Sequence, residues 1–345
     1  MCNIAGYVGD RPAAPLLIEM MRRQEGLCGG YYTGIATLHE GKIYYAKLTG
    51  DLNRLLDTMD AAGLPGTIGI IHSRSKSGGG DKWAHPFVGE HNGEVQTAYV
   101  ANGEVGWFQP RMAEYNRLAE GLLAEGYTMH SRVTAESDAY NVLSDGTAVH
   151  MSDVMSQLVL RNMDKGADAA TAMGEAYCEM PGEIVGLLLS LAEPDGIAFS
   201  RISYPMALSF ASHGAYLAST AMAFPEDAGE PMLLPACSCG TVTCDRVSIT
   251  PYKNHPCTVA PLDAAQMKRV EQCLYPLLAE GDKTMSDLVI AALDTFPAVD
   301  VKVADLAVYE VLRALRQEGK LRIESRPVPG AADGLTAPKF YMSLV

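Results

Sequence analysis

Met1-Cys2-Asn3-Ile4-Ala5-Gly6-Tyr7-Val8-Gly9 opens the chain, and its second residue governs how the rest is read. Removal of Met1 leaves a cysteine that carries a thiol and an α-amine on one residue. The thiolate is the reactive form of cysteine. A free α-amine has an ordinary pKa of about 8, so near neutral pH part of it is unprotonated and can take the thiol proton. One residue then supplies both nucleophile and base. Initiator methionine is normally trimmed before a small residue, and cysteine counts as small. The competing reading is a buried structural thiol on an apolar first strand, because Ile4, Gly6 and Val8 follow it.

Working outward, 345 residues of which 48% are hydrophobic suit one large domain, or one large and one small. The net charge of −14 argues against a general nucleic-acid or membrane surface, both of which want a basic patch. The start lacks the basic and apolar segments of a secretory signal, and the longest apolar run, 184–191, is too short to span a bilayer. Cysteines at 2, 28, 178, 237, 239, 244, 257 and 273 are scattered, unlike a secreted disulfide scaffold, which points to a reducing cytoplasm. Cys237-Ser238-Cys239 with Cys244 and Cys257 lacks the spacing of zinc pairs. No metal and no cofactor are expected.

Residues 3–9 read as a strand, 16–23 as an amphipathic helix, and 26–34 as a glycine-rich loop. A hairpin over 35–38 and 42–47 turns at Glu40-Gly41. A helix is expected over 51–61. A strand over 67–72 runs into His72-Ser73-Arg74 and a loop through Ser77 to Gly80. Another strand, 96–101, ends at Asn102-Gly103. Helices follow at 112–125, from 137 to 143, at 154–160 and at 167–179. Strands follow at 183–191, 196–201, 206–210 and 215–219, and 241–249 alternates like one more. Strand clusters alternating with helices predict a layered α+β domain over 2–260. From 264 the pattern changes to helices at 264–280, 285–295 and 303–318, then strands at 321–325 and 339–344. That order is winged-helix-like, giving a second domain over 264–345. Its third helix sets Asp305, Glu310 and Glu318 against Arg313 and Arg316, so nucleic acid is an unlikely partner and protein contact or homo-oligomer formation fits better.

Four pieces carry coherent chemistry for cleaving the side-chain amide of a free amino acid. They are Cys2, His72-Ser73-Arg74, Asn102-Gly103 and Glu136-Ser137-Asp138. Arg74 suits an α-carboxylate, which a guanidinium grips bidentately. Asp138 suits an α-ammonium. The Asn102 side-chain amide and the Gly103 N–H suit an oxyanion hole, where losing one donor costs about a hundredfold or more in rate.

These pieces resemble, in order and chemistry, the class II glutamine amidotransferases, whose glutaminase domain is an N-terminal-nucleophile hydrolase. The resemblance covers roughly residues 2–250 and includes Cys2-Asn3-Ile4-Ala5-Gly6, the stretch from Gly29 to Ala36, His72-Ser73-Arg74, Ala84-His85-Pro86, Ala101-Asn102-Gly103, Glu136-Ser137-Asp138 and Leu234-Pro235. It implies a four-layer α/β/β/α fold. It also implies an enzyme that hydrolyses glutamine through a Cys2 thioester and passes ammonia to an acceptor. Cys2, Asn102 and Gly103 would be the catalytic set. Arg74 and Asp138 would bind substrate, with Ser77 and His85 at the same pocket and His72 supporting the Arg74 loop.

The chain departs from the family at several points. Asn3 stands where the family commonly has glycine, Ser75 where it has tryptophan, and Ser77-Gly78 where it has Thr-His. The glutamine-covering loop reads Cys28-Gly29-Gly30-Tyr31-Tyr32. No segment matches the acceptor domains that the family usually fuses to its glutaminase, so a separate synthase or ligase partner is expected. Two other readings of the same residues are a glutamine-sensing regulator and an N-terminal-cysteine hydrolase of another linear amide.

Overall fold

A computed structural model describes residues 2–103, 109–134, 141–182, 184–254, 256, 258–297 and 303–345. Strand β1 (Asn3–Gly9) alternates as its sequence requires. Ile4 and Val8 enter the core between two sheets, while Ala5 and Tyr7 face a helical layer. Gly6 lets the sheets approach, since a Cβ there would lie 3.1 Å from Leu187 and 3.2 Å from Ile197. Helix α1 (Ala13–Arg22) and the short helix α2 (Glu25–Cys28) follow. The stretch expected as one glycine-rich loop over 26–34 is thus split, with 26–28 in α2, 29–31 remaining a loop and 32–34 opening β2 (Tyr32–His39).

β2 turns at Glu40 and Gly41, both at positive φ as a tight hairpin demands, into β3 (Lys42–Thr49). Helix α3 (Leu52–Thr58) is capped by Asp51, whose side chain accepts from Arg54 N at 3.0 Å. β4 (Ile68–Arg74) carries His72, Ser73 and Arg74 inside the strand rather than after it. β5 (Phe87–His91) and β6 (Glu94–Gly103) follow, and β6 likewise retains Asn102 and Gly103. Backbone pairing with β10 (Ile184–Ser190) outcompetes the turn tendency of Asn-Gly, with Asn102 opposite Val185.

Helix α4 (Met112–Ala124) precedes a small sheet of β7 (Val133–Thr134), β8 (Asn141–Val142) and β9 (Thr147–Val149). The helix expected from 137 to 143 is corrected at its end, where 141–142 pair with β9; residues 135–140 lie outside the described residues. Helices α5 (Met151–Asp164) and α6 (Ala169–Glu179) come next. After β10 come β11 (Ile197–Arg201), β12 (Ala207–Ala211), β13 (Gly214–Ala218) and β14 (Met232–Leu233). The alternation over 241–249 resolves into a hairpin of β15 (Ser238–Val242) and β16 (Val247–Pro251).

The strands form a seven-stranded sheet ordered β14-β12-β13-β1-β4-β2-β3 and a six-stranded sheet ordered β16-β15-β11-β10-β6-β5. Their facing sides share one core, with Ile4, Val8 and Ile70 against Val100, Leu187 and Phe199. The outer face of the first sheet is covered by α1 and α3, through Leu17, Met20, Leu52 and Leu55. The outer face of the second is covered by α4, α5 and α6, through Tyr115, Leu158 and Tyr177. Helix, sheet, sheet and helix therefore stack in four layers.

Residues 264–345 form α7 (Ala264–Glu280), α8 (Met285–Leu293), α9 (Ala304–Gln317) and an antiparallel pair, β17 (Leu321–Pro329) and β18 (Thr336–Leu344). A capping box of Thr284 and Asp287 starts α8. The core of this segment, from Leu274, Leu288, Val308 and Leu312, extends to Leu27 and Met222 of the layered part. Among the described residues no helix is long and apolar enough to cross a membrane.

Candidate active site

The site forms where strand ends of the two facing sheets meet. Cys2 precedes the central strand β1 of the first sheet, and Asn102 is the last residue but one of β6 in the second. Cys2 N donates to Asn102 Oδ1 at 2.9 Å, and Asn102 Nδ2 donates back to Cys2 O at 2.7 Å. A primary amide has one acceptor and one donor edge, so Asn102 grips both backbone polar groups of Cys2. In a chain freed of Met1 the held nitrogen is the α-amine. Cys2 is 8% exposed, and its Sγ lies 3.8 Å from Ser75 Oγ. Gly103 follows Asn102, opposite Ile184, with residues 104–108 outside the described residues.

Arg74 reaches the same region from β4 and is 2% exposed. Its Nη1 donates to Gly78 O at 3.2 Å and Trp83 O at 3.1 Å, and its Nη2 donates to Ser77 Oγ. The guanidinium lies over the Tyr32 ring, 4.6 Å from its centroid, and 5.6 Å from that of Trp83. Gly78 N donates to the Tyr32 hydroxyl at 3.0 Å, closing the 75–80 loop around Arg74. The structure therefore joins Arg74 directly to Ser77. Asp138, with Glu136 and Ser137, lies outside the described residues.

Behind Arg74 stand three histidines, His72 and His85 buried and His150 partly exposed. His72 and His85 stack with centroids 3.8 Å apart, and His150 meets His85 edge-on at 5.4 Å. His72 Nε2 faces Ala101 O at 2.9 Å. A carbonyl accepts, so Nε2 carries the proton, and the bond ties β4 to β6 one residue before Asn102. Burial pushes the His72 pKa down to about 3, with the Arg74 charge adding to the effect. Burial likewise drives His85 and His150 well below the ordinary value. Neither ring nitrogen of His85 has a hydrogen-bond partner among the described residues. His85 is thus a buried neighbour of Arg74's support, not a surface group.

The sequence reading missed Glu25. This side chain is 5% exposed, and its Oε1 accepts from Ser73 Oγ at 2.7 Å, Leu52 N at 2.9 Å and Thr33 Oγ1 at 3.1 Å. Ser73 Oγ in turn accepts from Gly30 N at 2.7 Å. Glu25 thereby anchors the glycine-rich loop to the strand that presents Arg74. A lone acid entering a glycine run was the available signal. The structure also accounts for Asn3, whose Oδ1 accepts from Cys28 N at 3.2 Å.

No family model matches the chain. In sequence it is similar to glutamine–fructose-6-phosphate aminotransferase (isomerizing) of Chlorobaculum tepidum, 26% identical over 282 residues, covering 80% of this chain and 40% of the relative. A protein of the same name from Caldanaerobacter subterraneus subsp. tengcongensis is 37% identical over 139 residues, 39% of this chain and 21% of the relative. In fold it is similar to glutamine phosphoribosylpyrophosphate amidotransferase of B. subtilis complexed with ADP and GMP, with a TM-score of 0.58 at 14% identity, covering 78% of this chain and 52% of that one. In sequence and in fold the chain resembles the class II glutamine amidotransferases. A second structure, of the allosteric regulatory enzyme of purine biosynthesis, matches with a TM-score of 0.60 at 13% identity, covering 100% of this chain and 71% of that one. The chain spans about 40% or less of the length of the curated relatives it matches.

Proposed function

We propose that this chain is a class II glutamine amidotransferase that hydrolyses the side-chain amide of glutamine at Cys2 and passes the ammonia to a separate acceptor enzyme. The observation that carries the reading is the two-point grip of Asn102 on the Cys2 backbone, which orients the nitrogen that becomes the base after Met1 is removed. The α-amine takes the thiol proton, and the thiolate adds to the amide carbonyl. The negative oxygen so formed is assigned to the Asn102 Nδ2 and Gly103 N–H donors. Collapse breaks the C–N bond, the α-ammonium returns its proton to the departing nitrogen, and a Cys2 thioester remains. Water, deprotonated by the same amine, then releases glutamate.

Arg74 is assigned to the substrate α-carboxylate, which would take the place of Ser77 Oγ beside the guanidinium, and Asp138 to the α-ammonium. His85 acts from behind, by packing on His72. Ammonia released into neutral water is mostly protonated and loses its nucleophilicity, which favours an acceptor site close by. We place residues 2–260 in a glutaminase domain and 264–345 in a winged-helix-like domain suited to contact with that partner. Free thiols at seven described cysteines support a reducing cytoplasmic setting.

Two measurements test the reading together. Intact mass of the purified chain should show loss of Met1, and the processed chain should release glutamate from glutamine. Cys2→Ala should reduce that rate by about a thousandfold or more while the far-UV spectrum is unchanged. Persistence of Met1 in a fully active chain, or wild-type turnover by Cys2→Ala, would end the mechanism.

A further inference from the structure

The glycine-rich loop is held from two sides. On the inner side a Cβ at Gly29 would lie 2.6 Å from Ser73 Oγ, and Tyr31 N donates to Arg74 O at 3.1 Å. On the outer side a Cβ at Gly26 would fall 2.2 Å from the Phe340 ring, and one at Gly30 would fall 2.7 Å from Pro338 Cδ. Both outer contacts come from β18 of the C-terminal segment. Between them Cys28 gives its N–H to Asn3 Oδ1, while its Sγ lies 3.7 Å from the hydroxyl of Tyr309 on α9. Tyr309 is 1% exposed.

We propose that Tyr309 is a positioning residue for glutamine binding. It acts through Cys28 and Asn3 to hold the 26–31 loop against the strand that presents Arg74, and this rests on the glutamine reading above. The C-terminal segment then completes the substrate pocket rather than merely following it. Two features support the link. The contact chain Tyr309–Cys28–Asn3 ends at the residue bonded to Cys2. Burial pushes the Cys28 thiol up to about 11, with the Tyr309 hydroxyl bond acting against the rise, so the pair meets as neutral hydroxyl and thiol at working pH.

The test compares full-length wild type, Tyr309→Phe and Asn3→Gly by steady-state glutamate release and by amide hydrogen exchange over 26–31. Tyr309→Phe keeps the ring and removes one neutral hydrogen bond. It should raise the glutamine KM about two- to tenfold with kcat within about twofold, and should speed loop exchange by a similar factor. Asn3→Gly should do the same, and combining the two should add less than their product. A merely structural Tyr309 would lower the melting temperature and leave both KM and loop exchange unchanged, which overturns the proposal. If the wild type shows no Cys2-dependent glutamate release, the glutamine reading falls. Loop exchange in Tyr309→Phe then still decides whether Tyr309 holds the loop.

Discussion

At the scale of single residues, Glu25 carries a cost that the protein tolerates for position. Burial raises its pKa from 4.5 to about 7, and the hydroxyls of Ser73 and Thr33 and the Leu52 N–H only partly oppose the rise. The unfolded carboxyl ionises near 4.5, whereas the folded one holds its proton to about 7. The unfolded state therefore binds fewer protons across that window, and this group's contribution to stability falls as pH rises, by about 3 kcal/mol in all. The buried histidines work in the opposite sense, His72 from about 3 up to its ordinary range near 6.5. The informative quantity is thus the difference between a variant and the wild type. Glu25→Gln keeps an oxygen for all three donors and cannot ionise. Its urea midpoint, measured from pH 4.5 to 8, should gain on the wild type as pH rises. Parallel curves would mean that Glu25 does not titrate in this range.

At the scale of elements, the strands bring backbones closer than side chains would allow. Gly34 on β2 has His85 O where its Cβ would sit, at 2.0 Å, and Lys47 on β3 clasps the same segment through Ala84 O at 2.9 Å and Pro86 O at 3.0 Å. A carbonyl cannot swing aside as a side-chain tip can. Gly34→Ala should therefore cost about 1–3 kcal/mol, seen as a lower melting temperature, and should disturb the His72–His85 stack behind Arg74. Gly121 on α4 has open space at its Cβ position. Gly121→Ala should stabilise by about 0.5–1 kcal/mol, since alanine favours the helix over glycine. Equal effects of the two substitutions would show that close backbone approach does not shape the β2–His85 contact.

At the scale of the whole molecule, the two segments share a core. Leu27 and Met222 of the layered part pack into the cluster formed by Leu274, Leu288, Val308 and Leu312, and Arg316 donates to Met222 O at 3.2 Å. Unfolding the C-terminal segment alone would expose Leu27 and Met222 and leave the glycine-rich loop without its outer wall. Calorimetry of the full chain should therefore show one cooperative transition. Two resolved peaks would mean that the shared core is too weak to couple the segments.

The first strand, the hairpin at Glu40-Gly41, the paired helices and the C-terminal element order follow from the sequence, because each is set by local period and turn chemistry. Cys2, Arg74 and Asn102 stood out in the sequence because their functional groups suit one reaction, and the fold brings Cys2 and Asn102 into direct contact. The sequence did not place Asn102 and Gly103 inside β6, because pairing with β10 overrides the local turn tendency. Nor did it reveal that Arg74 is held by Ser77, Gly78 and Trp83, or that Glu25 anchors Gly30 through Ser73. Tyr309 lies 281 positions from Cys28, and no local pattern ties them. Such partners are chosen by which buried polar groups meet once the sheets and helices have packed, and that pairing exists only in the tertiary structure.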